Sequence, residues 1–317
     1  MKIRSFFGKP GFYLQKAFPR FCAYCYLTVQ KSVQHPYIKR YIRNFSAEKG
    51  PKLPLCVSFE TINKCNGTCA FCPANTAFDK RERTVMPPEI FDKAIDDLKN
   101  AGFNANLVMC INNEPLLDPL LTERLEKARR ALPDAKIQIY TNGSLLTPEK
   151  LDEFRGLVDK IIINNYTEEY ALNKNIRKLV EKVNDEPEQF SGTQIIVEIR
   201  YRNAVLSNRG GLSPNKKAVR QQKYPCVMPF SDIAIYSDGS VGICSCDFSG
   251  VLTLGNVKES NVIELFNGEK YARMRESVIK TGRPDCGICE VCDFVGRSNT
   301  RLKAIKRKIR GERPYFG

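Results

Sequence analysis

The chain is predicted to be an α/β protein built around a mostly parallel sheet, and three observations lead there. Strand-like and helix-like stretches alternate from residue 51 to about residue 205, and repeated βα units of this length make an α/β fold. Most of the strand-like stretches are runs of Val, Ile and Leu rather than strict alternations, as expected where helices cover the sheet. A length of 317 residues with 42% apolar content suits one barrel-sized domain with an appendage. Periodicity alone does not separate an open sheet from a barrel.

In chain order, residues 1–50 mix aromatic residues (Phe12, Phe18, Phe21 and Tyr24 among them) with scattered Lys and Arg. Segments near 12–33 and 37–45 read as amphipathic helices of an N-terminal extension. Residues 51–205 form the expected core: strands at 55–62, 106–111, 136–140, 160–163 and 194–201, with helices at 88–101, 119–132, 148–157 and 169–183. The first of these helices has Pro in its first turn and Gly102 at its end. The Gly/Asn/Ser-rich stretch 203–225 reads as a linker. In the expected second domain, 206–295, strands at 233–236 and 241–244 flank Asp238-Gly239, a hairpin signal. An amphipathic helix follows at 262–279. In the tail, 296–317, Leu302, Ile305 and Ile309 share one helical face among Lys and Arg.

The net charge of +15 is unevenly placed. Residues 1–50 carry +9 and residues 297–317 carry +7, so the body between them is close to neutral. That excludes reading the whole chain as a nucleic-acid binder on charge. The basic ends, the first of them aromatic as well, point instead to peripheral contact with an anionic membrane, and no spanning segment is expected, since no run approaches 18 apolar residues. The single histidine, His35, lies far from every cysteine group, which removes a His-based metal site and argues against His as a general base. Thirteen cysteines without a signal-peptide core point to a reducing, cytoplasmic setting and to metal rather than disulfides.

Cys65, Cys69 and Cys72 form C-x3-C-x2-C just after the first strand of the core. A cubane iron–sulfur cluster takes four ligands, so three thiolates leave one iron open to a cofactor. Structural zinc, which wants four ligands, fits the loop poorly. With Phe71 ahead of the last cysteine, the loop resembles that of the radical S-adenosylmethionine (radical SAM) superfamily. The resemblance implies a partial (β/α)6 TIM-like barrel and a 4Fe–4S cluster whose free iron is chelated by SAM. It also implies cleavage of SAM to a 5′-deoxyadenosyl radical, with a reducing electron donor such as flavodoxin or ferredoxin.

Further segments match the family. Asn112-Asn113-Glu114-Pro115 stands where the family has Gly-Gly-Glu-Pro, which implies that Glu114, with Asn112 and Asn113, contacts the SAM amino group. Thr141-Asn142-Gly143 resembles a segment near SAM, and Asn164 and Asn165 are expected to end the fourth strand with a polar contact to it. Glu198, Arg200 and Arg202 share one face of the fifth strand. In a barrel lumen they need partners, which a SAM carboxylate or polar substrate would supply to Glu198 and Arg200 as cofactor-binding residues; the alternative is a solvated edge. Cys110, beside the SAM segment, is either core-packed or a hydrogen donor; Cys56 is expected to be core-packed, and Cys22 and Cys25 to be ordinary thiols.

Cys226, Gly239 and Cys244, followed by Cys286, Cys289 and Cys292, resemble the SPASM and twitch extensions of radical SAM enzymes. No cysteine follows Cys292, which suits one auxiliary 4Fe–4S cluster held by Cys226, Cys244 and two of Cys286, Cys289 and Cys292, the last two favoured. Cys246 and Cys286 are then surplus, and a zinc knuckle from the same thiols is the alternative. The expected function is dehydrogenation of a small polar, sugar-derived substrate. Alternatives are a peptide-modifying maturase, a sugar epimerase, and a metal-stapled module that binds anionic lipid or nucleic acid and forms no 5′-deoxyadenosine.

Overall fold

Seven parallel strands and an antiparallel flap make one sheet in the computed structural model, which describes residues 1–294 apart from 6–7, 46–49, 75–80, 218–223, 249 and 251. The elements are β1 (Lys2–Ser5), α1 (Gly8–Ala17), α2 (Pro19–Ile42), β2 (Cys56–Phe59), α3 (Pro88–Asn100), β3 (Asn106–Val108), α4 (Leu121–Ala131) and β4 (Lys136–Thr141). Then follow α5 (Pro148–Glu153), β5 (Lys160–Thr167), α6 (Lys174–Asp185), β6 (Gln194–Tyr201), β7 (Asp232–Ile235), β8 (Ser240–Gly242) and β9 (Gly255–Asn256). Helices α7 (Val262–Asn267), α8 (Glu269–Thr281) and α9 (Gly287–Val291) close the described chain. The strand order is β1-β6-β5-β4-β3-β2-β7-β8-β9, parallel up to β7. This is the arc of a partial TIM-like barrel with helices on its outer face.

The βα units form because each helix has an apolar stripe to bury. On α3, Ile90, Phe91, Ala94, Ile95 and Leu98 are buried at helical spacing against Phe59, Leu107 and their neighbours. Each large side chain so buried contributes about 1.5–3 kcal/mol. The strand residues are buried on both faces, as in Cys56–Phe59 and Asn106–Val108, which is why they read as unbroken apolar runs.

The expected core strands all form, with shifted ends. The first stops at Phe59: Glu60 N still bonds Ile235 O of β7 (2.9 Å), but the backbone beyond it turns to a different partner, with Ile62 bridging Val85 and Asn63 N bonding Thr84 O (3.1 Å). The fourth runs on to Thr167, so Asn164 and Asn165 lie inside β5 rather than at its end. The helix expected at 169–183 starts at Lys174, because Asn165 bonds Ala171 O and Asn173 N and holds that loop extended. Gly268 divides the helix expected at 262–279 into α7 and α8.

The N-terminal region departs furthest from expectation. Residues Lys2–Ser5 add a strand parallel to β6, and the helix break falls at Phe18-Pro19 rather than between 33 and 37. Pro19 occupies the first helical position, where a missing N–H costs nothing. Tyr26 of α2 lies beside Glu198 and Arg200 of β6, while Tyr41 donates to Phe230 O just before β7 (3.3 Å). The helix therefore reaches from one side of the arc to the other.

The stretch 203–225 is packed where it is described, not a free linker. Asn208, Gly210 and Ser213 are buried, and the glycines serve a tight turn: Gly210 and Gly211 have φ of +65° and +91°. The hairpin strand at 232–235 pairs parallel with β2, so the second cysteine group hangs from the barrel sheet itself. The tail with Leu302, Ile305 and Ile309 lies outside the described residues. No helix among the described residues is long and apolar enough to cross a membrane.

Candidate active site

The first cysteine group sits in the loop that leaves β2, and other loops at the same end of the sheet hold it in shape. Backbone of Gly67 threads between thiols: a Cβ there would stand 3.3 Å from Cys65 Sγ and 3.8 Å from Cys69 Sγ. Cys72 N bonds Cys69 O (3.0 Å), and Asn66 bonds the side chains of Asn142 (2.7 Å) and Ser144 (2.9 Å). Phe71 is buried against Tyr166, 5.6 Å between ring centroids, and its carbonyl accepts from Ser213 Oγ (3.1 Å). Burial pushes the Cys65 thiol up to about 11 and the Cys69 thiol up to about 12. These thiols suit a metal–sulfur group whose binding displaces their protons. Among the described residues no three His, Cys, Asp or Glu groups are gathered tightly enough for a single metal ion.

Glu114 is the hub of the neighbouring loops. It is 1% exposed; Oε1 accepts from Thr141 Oγ1 (2.7 Å) and Leu116 N (3.2 Å), and Oε2 from Asn142 N (2.8 Å). Burial raises its pKa while these hydrogen bonds oppose the rise. It is therefore no strand-end surface acid. Gly143 closes the same turn with φ +74°, where a Cβ would stand 2.6 Å from Ile163 Cγ2. Gly143→Ala should cost about 2–4 kcal/mol and lower the melting temperature, as thermal unfolding followed by circular dichroism would show.

Asn112 and Asn113 do different things. Asn113 Oδ1 accepts from Ile111 N (2.9 Å), but its Nδ2 is buried without a hydrogen-bond partner. Asn112 faces the second domain: its Nδ2 donates to Ser245 O (2.9 Å) and its Oδ1 accepts from Arg209. The Cys110 thiol, driven upward by burial, donates to Asn113 O (3.4 Å) within electrostatic reach of Cys65 and Cys72. Cys56 packs in the core beside Ser58.

On the lumen side, Asn164 is the register partner of Glu198, which forms an ion pair with Arg200. The two charges thus satisfy each other in part, and Arg200 Nε remains buried without a hydrogen-bond partner. Arg202 is exposed past the strand end, though still within reach of Cys69. Asn165 only supports its own loop.

The second cysteine group assembles from three places. Cys226 is fixed by its N–H to Gly282 O (2.8 Å), Cys244 follows β8, and Cys286, Cys289 and Cys292 frame α9. Cys289 is within electrostatic reach of Cys286, Cys226 and Cys244, and Cys226 of Cys292. Cys246 interacts directly with Cys244 and Cys292. The Cys292 thiol is held down to about 7, first by Cys246 and also by the Arg283 guanidinium. The group is locked by reciprocal bonds: Asn208 N to Asp293 Oδ1 (2.7 Å) and Asp293 N to Asn208 Oδ1 (3.0 Å).

Arg209 joins the two groups. Its guanidinium bonds Asn112, lies 5.9 Å over the Phe71 ring, and is within electrostatic reach of Cys72 on one side and Cys246 on the other. It is the non-glycine residue with positive φ (+47°) among the described residues. Arg209 and Arg283 escaped the sequence reading; an Arg ahead of Gly210-Gly211 was the available signal for the first.

Comparison with known proteins agrees with this geometry. The family model of the radical SAM superfamily matches residues 59–186, and that of the SPASM iron–sulfur cluster-binding domain matches residues 226–293. The S-adenosyl-L-methionine-dependent 2-deoxy-scyllo-inosamine dehydrogenase of Niallia circulans is 25% identical over 247 residues, 77% of this chain and 94% of that protein. The crystal structure of BtrN with AdoMet and 2-DOIA superposes with a TM-score of 0.66 at 24% identity, over the same shares of the two chains. BtrN in an open conformation gives 0.57 at 20% identity, again covering 77% of this chain and 94% of that one. The cofactors that go with these domains are SAM on a 4Fe–4S cluster and auxiliary iron–sulfur, and the two groups of buried and half-buried, partly cation-flanked thiols fit them. The chain belongs to the radical SAM superfamily and carries a SPASM-type iron–sulfur domain behind its barrel.

Proposed function

We propose that this chain is a dehydrogenase that oxidises a secondary alcohol of a small polar, sugar- or cyclitol-derived substrate. The observation that carries this reading is Arg209, a cation set between the two cysteine groups. When bound, SAM on its cluster supplies a 5′-deoxyadenosyl radical for hydrogen abstraction, and one auxiliary 4Fe–4S cluster supplies an electron acceptor. Cys65, Cys69 and Cys72 would hold the first, and Cys226, Cys244, Cys289 and Cys292 the second, with Cys246 and Cys286 as neighbouring thiols. An alcohol becomes a ketone by losing a hydrogen atom, a proton and an electron, so a substrate beside both groups is well served. Arg209 would bind the substrate oxygen and stabilise charge that develops on it. Glu114 offers an acceptor to the SAM ammonium, and Asn113 Nδ2 and Arg200 Nε offer unspent donors to a carboxylate or hydroxyl. The dehydrogenase relative acts on 2-deoxy-scyllo-inosamine and aligns over nearly its whole length, which supports a cyclitol-like substrate. Flavodoxin or ferredoxin would deliver the reducing electron, in the cytoplasm.

The test is anaerobic turnover with SAM, reductant and a panel of cyclitols and sugars deuterated at the carbinol carbon. Deuterium in 5′-deoxyadenosine, with ketone formed in equal amount, is expected; 5′-deoxyadenosine without ketone would sink the dehydrogenase reading. Cys110 supports a second reading, epimerisation, because its buried thiol lies on the same side as Cys65 and Cys72. Cys110→Ala should leave ketone formation within about threefold of wild type if the reaction is dehydrogenation. Loss of an inverted product in the same variant would mark the thiol as a hydrogen donor.

A further inference from the structure

Helix α2 shows the solvent an apolar face that the rest of the described chain leaves uncovered. Phe18, just ahead of it, and Phe21, Val29 and Val33 are 60%, 63%, 62% and 52% exposed. Their spacing sets them along one stripe, and the same stripe continues into Arg40 and Arg43 at the end of the helix. The opposite face buries Ala23, Leu27, Ile38 and Tyr41, so the helix already has its core contacts. The segment that carries this face is itself cationic: residues 1–47 contain nine Lys and Arg and no Asp or Glu, and an ion pair joins Lys16 of α1, not α2, to Glu169. The radical SAM family model begins only at residue 59, so the cofactor chemistry does not account for this element.

We infer that the outer face of α2 docks on the surface of an anionic lipid bilayer. A row of large apolar side chains flanked by basic ones suits a helix lying flat at the interface, its apolar groups among the acyl chains and its cations at the headgroups. Charge selects the occupant. A second copy of the chain would bring two cationic faces together with no acidic residue of this region to pair them, whereas an anionic surface neutralises each basic residue. The basic stretch 297–317 adds to the same attraction. The inner face of α2 carries Tyr26 beside Glu198 and Arg200 of the barrel lumen, so the docked helix would also wall the substrate side of the site. This inference stands apart from the reaction proposed above.

The experiment is co-sedimentation of the reconstituted full-length protein with phosphatidylcholine vesicles and with mixed phosphatidylcholine–phosphatidylglycerol vesicles, at low and high salt. Partition onto the anionic vesicles, weakened by salt, is expected. Arg40→Gln/Arg43→Gln should bind at least about tenfold more weakly, each basic residue contributing roughly fivefold. Phe18→Ser/Phe21→Ser should weaken binding by about tenfold or more, with iron content unchanged as the check on folding. Absence of binding to anionic vesicles overturns the inference. So does full binding by the Phe18→Ser/Phe21→Ser variant, which would assign the affinity to the C-terminal tail. A dimer in solution that the same variant dissolves, or preference for RNA over vesicles, overturns it as well.

Discussion

Replacing Cys65, Cys69 and Cys72 together with Ala is expected to take the iron of the anaerobically reconstituted protein from about eight to about four per chain. Formation of 5′-deoxyadenosine should fall to background in the same sample. The two groups have separate thiols and separate braces, with Arg209 between them. The first depends on the loop after β2, braced by Asn66, Asn142 and Glu114, and the second on the turn at Asn208 and the Asp293 carboxylate. Removing three thiolates from one therefore leaves the other its ligands and its braces. A drop from about four irons to none would show that the C-terminal cysteines hold no cubane. That would remove the internal electron acceptor on which the dehydrogenase reading depends.

Arg209→Gly is expected to lower kcat/KM by about 100-fold or more while the protein stays folded and loaded with iron. The choice of Gly separates chemistry from structure. At φ +47° an Arg backbone is strained and a Gly backbone is not, so the substitution relieves strain as it removes the guanidinium. It also removes the cation over Phe71 and the partner of Asn112 Oδ1. Arg209→Lys should recover little, because a compact ammonium cannot match the spread donors of a guanidinium. The measurements are iron content, SAM-dependent 5′-deoxyadenosine formation without substrate, and kcat and KM with it. Unchanged kcat/KM in Arg209→Gly would remove this residue from the site.

The spacing of a cysteine loop is local, and it is legible in the sequence. C-x3-C-x2-C and the order Cys226, Gly239, Cys244 are recognisable as patterns because each is a fixed spacing within one stretch of chain. The alternation of apolar runs with helical periods likewise marked the five core strands, β2 to β6, since each burial pattern repeats within its own element. Asn112 shows where that reading stops. In the chain it is a departure from a glycine motif; in the fold its side chain ties the loop after β3 to Arg209, 97 residues away, and to Ser245, 133 residues away. The stretch 203–225 carries the same lesson, because its Gly and Asn content marks a linker and a tight buried turn equally well. The strand at Lys2–Ser5 was hidden for a related reason: four residues have no period of their own, and only the free edge of β6 makes them a strand. Sequence by itself determined the βα order and the spacing within the first cysteine loop, which are written in neighbouring residues. Tertiary structure alone decided how the two cysteine groups face each other across Arg209, because that depends on contacts between segments far apart in the chain.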